Sequence, residues 1–108
     1  MQPSRNPPMT ACVFRFSFSS NVPLDEAEMT LQLATFAAEG LFGMARLRID
    51  FSYHVDSARR AILVDGTNEV GAAVVQVFTG LLLREFGEDA FQMTPMQSHQ
   101  PQSKETAA

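Results

Sequence analysis

One cysteine in 108 residues leaves Cys12 without an intrachain disulfide partner and excludes both a disulfide framework and an all-cysteine zinc site. Tryptophan is absent and tyrosine occurs once, so the aromatic content rests on nine phenylalanines, rings that bury large areas in a core and carry no polar handle. Cations are scarce as well: eight Lys+Arg face twelve Asp+Glu, a formal net charge of −4. Generic binding to nucleic acid or to an anionic membrane relies on positive potential and is not expected of such a chain. No apolar run reaches the ~20 residues that a membrane span needs. The longest, Val70 to Leu83, is interrupted by Gln76 and Thr79 and is followed by Arg84. The segment Met1–Pro8 has no apolar stretch of the kind that a secretory signal carries. These absences lead to the expectation of a soluble, cytoplasmic protein with no cofactor and no metal.

What is present divides the chain in three. Residues 1–10 hold three of the six prolines, and residues 97–108 are polar. Neither segment has an apolar pattern able to offset the entropy of ordering, so both are expected to be disordered tails. Residues 11–96 read as one α+β domain, a length that suits a single core.

Inside that domain the hydrophobic period changes repeatedly. Cys12, Phe14, Phe16 and Phe18 alternate with Val13, Arg15, Ser17 and Ser19, the pattern of a strand with one buried face. Asp25 with Glu28 reads as an N-cap and capping box, Met29, Leu33, Phe36 and Gly40 as the stripe of the helix that follows, widened by Leu31, Ala34 and Ala38, and Gly40 as its stop. From Ala45 to Val55 apolar and polar residues alternate without a break, which predicts a long strand with Arg46, Arg48, Asp50 and His54 on its outer face. Asp56–Arg59 forms a turn, and Arg60–Asp65 a strand antiparallel to the previous one. Thr67 is the expected cap of a second helix with the stripe Val70, Val74, Val77, Phe78, Leu81 and Leu82, and close packing would account for Gly71 and Gly80 within it. Ala90–Thr94 is a last short strand, ended by Pro95.

The order strand, helix, strand, strand, helix, strand is that of the ferredoxin-like split βαβ fold (βαββαβ): a four-stranded antiparallel sheet with two helices on one face. The first and third strands would be central. On the uncovered face Arg15, Arg46, Arg48 and His54 would then converge, the only cationic cluster in an acidic chain.

No catalytic constellation is legible. Cys12 and the serines have no histidine placed to activate them, and Asp50 and His54, four strand residues or roughly 13 Å apart, could not chelate one ion. Gly66 and Gly71 share a P-loop's glycine spacing, but Ala72-Ala73 replaces the Lys-Ser/Thr that the phosphates require. Phe14, Phe16 and Phe18 are expected in the core, where they cannot stack bases. The leading expectation is a non-catalytic domain acting through association, as a homodimer or an accessory subunit with a protein partner. The alternative is an anionic-metabolite-binding domain or cofactor-free enzyme of the dimeric α+β barrel type, with Arg15, Arg46 and Arg48 holding the anion and His54 as acid or base.

Overall fold

The computed structural model describes residues 12–97; the two expected tails lie outside them apart from Gln97. In chain order the elements are β1 (Cys12–Phe18), α1 (Leu24–Phe42), α2 (Met44–Asp50), β2 (Tyr53–Asp56), β3 (Ala61–Asp65), α3 (Glu69–Glu85), a 3-10 turn (Glu88–Ala90) and β4 (Phe91–Gln97). The four strands form one open antiparallel sheet in the order β2-β3-β1-β4. β1 and β3 are therefore central, as expected, and three helices accompany the sheet rather than two.

The alternation in β1 places its phenylalanines correctly. Phe16 lies opposite Ile62 and Phe14 opposite Val64. Phe16, Ile62 and Val64 are fully buried, together with Phe78 and Leu82 of α3 and Leu31 of α1. The Phe16 and Phe78 rings meet at 4.7 Å between centroids, a distance at which aromatic pairs add to simple area burial. With Phe16 and Phe18 in this cluster, neither offers a ring to a nucleic-acid base.

The eleven-residue strand does not exist. Residues 44–50 are helical, and β2 keeps only the last three positions, 53–55, and adds Asp56. The reason lies across the sheet. β2 pairs with β3 in the register Tyr53↔Val64 to Asp56↔Ala61, so residues 45–51 of a longer strand would need partners at 66–72. Those residues leave the sheet and enter α3. An unpaired backbone is costly, whereas a helix satisfies its own groups. Ala, Leu, Met and Arg favour that outcome, and Arg46 and Asp50 stand at i,i+4, with Nε and Oδ2 3.3 Å apart.

Several boundaries also shift. α1 runs past Gly40 and stops at Gly43, whose φ of 90° suits a residue without Cβ. Its N-cap is Pro23 with no side-chain cap; Asp25 accepts from the Glu26 N–H instead. Asn68, not Thr67, caps α3 by accepting from the Gly71 N–H. The hairpin turn closes at Arg60, in the left-handed region at φ 50°, so that β3 starts at Ala61. β4 continues through Pro95, which an edge strand tolerates because the missing N–H can point away from the sheet. No described helix is long and apolar enough to cross a membrane.

Candidate functional site: the outer face of α1

α1 has two apolar stripes on opposite sides. At roughly 100° per residue, Ala27, Leu31, Ala34 and Ala38 fall on one side and Met29, Leu33, Phe36 and Gly40 on the other. The stripe with the larger residues is the one expected at the centre of the buried face, with Leu31, Ala34 and Ala38 at its margin; the structure centres burial on that margin and leaves the larger stripe outside. Ala27, Leu31, Ala34 and Ala38 are buried, while Met29 is 66% exposed, Leu33 57% and Phe36 66%. The sheet phenylalanines and the Phe78 and Leu82 side chains of α3 already fill most of the core, so a close-packed interior takes Leu31 as the one large residue of α1 and otherwise alanines and Thr30. Thr30 sits at the margin between the stripes, buried, donating its hydroxyl to Glu85 Oε1 of α3 at 2.7 Å, with the Glu26 carbonyl 3.1 Å away as the alternative acceptor of that single proton.

Between α1 and α3 the outward stripe borders a cleft of about 510 Å³, with Met29, Leu33 and Phe36 as its apolar wall and Glu26 and Glu85 as its charged rim. Three large side chains at i, i+4 and i+7 make a continuous apolar surface rather than scattered exposure. Leu41 and Met44 are also more than half exposed, at the far end of α1 and the start of α2.

The four residues expected to form an anion site are not brought together. Arg15 and His54 do share the uncovered sheet face, in register on either side of Leu63. Arg46 and Arg48 are on α2. Arg46 is occupied: it reaches Asp50 at 3.3 Å and Glu69 at 3.0 Å, and its guanidinium lies 5.1 Å from the centre of the Phe42 ring. The hydrogen bonds to Glu69 and then to Asp50 raise its pKa above the usual arginine value. Arg48 is exposed and has no carboxylate within ion-pair distance among the described residues. The hollow beside His54 is small, about 230 Å³, and is walled by Val13, Leu63 and Asp65 among others, with none of the three arginines.

The Asp65-Gly66-Thr67 turn is a latch. Asp65 Oδ1 accepts from the Thr67 N–H and hydroxyl at 3.0 and 2.6 Å, and Thr67 Oγ1 accepts from the Cys12 N–H at 3.0 Å. The Gly66 N–H closes the ring on the Cys12 carbonyl at 2.8 Å. These bonds join the end of β3 to the start of β1 and engage the polar groups of the turn within the chain.

Sequence reasoning missed Arg60 and Tyr53. Arg60 Nη2 donates to the Ser19 and Val22 carbonyls, tying the β2–β3 hairpin to the loop before α1. Tyr53 donates its hydroxyl to Glu28 Oε2 and accepts from Gln32 Nε2, both at 2.9 Å, fastening α1 to the edge of the sheet. Neither contact has a local signature; only the antiparallel packing of distant segments creates it. No protein-family model matches the chain, and no curated protein matches it in sequence.

Proposed function

We propose that this chain is a non-catalytic association domain whose docking surface is the outer face of α1, acting as a homodimer or as the accessory subunit of another protein. One observation carries the reading: Met29, Leu33 and Phe36 point outward from a helix whose buried side is three alanines, Thr30 and Leu31. Keeping the larger stripe in water forgoes roughly 1.5–3 kcal/mol of burial for each such side chain, a cost that a partner removes. The strand order, with β1 and β3 central, supports describing the scaffold as ferredoxin-like, with α2 inserted between α1 and β2. A single thiol, half-buried at Cys12, suits a cytoplasmic setting. The anion-binding reading has less support, since only Arg15 and His54 of its four residues share a surface.

Oxidative footprinting of Met29 tests this. In purified protein at working concentration, or in cell extract, the Met29 thioether is expected to react more slowly than it does in the highly diluted chain. Equal reactivity of Met29 under all three conditions would overturn the association reading.

A further inference from the structure

We infer that the occupant of the α1 stripe is a second copy of this chain, its α1 laid antiparallel across the first about a two-fold axis. The inference rests on the association reading above and specifies its partner and geometry. Along the stripe the residues run Met29, Leu33, Phe36, Gly40. An antiparallel two-fold between positions 34 and 35 sets Leu33 against Phe36 of the second copy and Met29 against its Gly40. The match is one of shape: a Cβ built on Gly40 meets nothing within 4 Å, so the position is an open notch in the stripe, one helix turn beyond Phe36, where a methionine side chain can seat. Being symmetric, each copy supplies both the knob and the notch, which is the self-complementarity an isologous interface requires.

Charge selects the direction. α1 carries Asp25, Glu26, Glu28 and Glu39 and no basic residue, so parallel pairing would set like ends together. Antiparallel pairing instead brings the first turn of α1, with Asp25 and Glu26, toward Gly43 and α2 of the second copy, and the last turn of α2 holds Arg48, exposed and without a carboxylate partner among the described residues. Glu28 and Glu39 lie roughly a quarter turn off the stripe, and Glu28 is already bonded to Tyr53. The remainder of the chain is a poor rival occupant: residues 1–11 and 98–108 contain only Met1 and Met9 as large apolar side chains, too few to cover the stripe.

Cysteine cross-linking on a Cys12→Ser background, combined with sedimentation equilibrium, tests the geometry. Positions 29 and 40 are eleven residues apart on one helix, roughly 16 Å, beyond the ~7 Å limit of a disulfide; any bond between them must join two chains. Mixing the Met29→Cys and Gly40→Cys proteins under mild oxidant is expected to give a covalent heterodimer, while each alone gives several-fold less. In sedimentation the parent chain is expected to be dimeric, with Phe36→Ser weakening the dimer at least tenfold. Arg48→Glu is expected to weaken it several-fold, with part of the loss recovered by Glu26→Arg in the same chain. A monomeric parent chain overturns the second-copy inference, and if Met29 is still protected in extract the association reading survives with a different partner. A dimer that forms without the 29–40 bond overturns the antiparallel pairing.

Discussion

Gly71 lies where α3 leaves the end of β3, and a Cβ there would stand 2.1 Å from the Asp65 carbonyl oxygen and 3.1 Å from the Gly66 Cα. Both obstacles are backbone and cannot swing aside. Gly71→Ala is therefore expected to lower stability in urea unfolding by about 3 kcal/mol or more, at or above the upper end for overpacked sites. Gly80, nine residues on in the same helix, faces open space, so Gly80→Ala should raise stability by about 1 kcal/mol through helix propensity alone. One sequence argument, close packing, covered both glycines, and it holds for only one. Tyr53 makes a second residue-scale case. Burial, followed by the hydrogen bond and charge of Glu28, pushes its phenol above the ordinary value of 10.0, against a smaller lowering by Gln32. The fold thus favours the neutral phenol: its contribution is fully present below the ordinary value and is lost as pH rises through the higher folded value. Because the chain has one tyrosine and no tryptophan, alkaline ultraviolet titration reads this group alone. The midpoint is expected above 10, shifting down in Glu28→Gln, and the loss of stability at high pH should be shallower in Tyr53→Phe.

Among the elements, α2 shows how a period-two pattern can mislead. In a seven-residue helix alternate residues are about 200° apart, so Leu47 turns inward, where it packs on the core, and Ile49 turns out to 81% exposure. Without a partner strand, alternation is compatible with either element, and the pairing partner is set by where β3 ends. The connection of α2 to the body passes through Asn68, which donates Nδ2 to the Asp50 carbonyl at 2.6 Å and accepts from the Gly71 N–H at 2.8 Å. Asn68→Ala removes both bonds and should cost about 1–2 kcal/mol, with faster amide exchange across Met44–Asp50. Asn68→Asp retains the acceptor that caps α3 and loses the donor, so α2 should exchange faster while α3 keeps its protection. Equal behaviour of the two variants would show that the cap on α3 contributes nothing, and unchanged α2 exchange in Asn68→Asp would show that the Asp50 contact contributes nothing.

At the scale of the molecule, the decisive feature is the side of α1 that meets the sheet. On chain diluted below any association, Leu33→Ser and Phe36→Ser are each expected to change stability by no more than about 0.5 kcal/mol, as exposed positions do. Ala34→Leu, on the buried side, should cost about 1–3 kcal/mol by overpacking. The opposite order in denaturant melts would mean that α1 is turned half a revolution from the orientation described. The proposed association rests on the same orientation, because the rotation that buries the alanines leaves the Met29–Phe36 stripe exposed.

The sequence by itself determined the strand at Cys12–Phe18 and, but for Arg60, the one at Ala61–Asp65, the inward direction of Phe16 and Phe18, the existence of α1 and α3, and the central place of β1 and β3. Each of these follows from a local period together with short connections. Only the tertiary structure decided that residues 44–50 are helical, that α1 buries its small stripe, and that Arg46 and Arg48 leave Arg15 and His54 without their company. Those outcomes depend on volume and pairing across the chain. The core has a fixed space already filled by rings from β1 and α3, and β3 has five residues to offer β2 and no more.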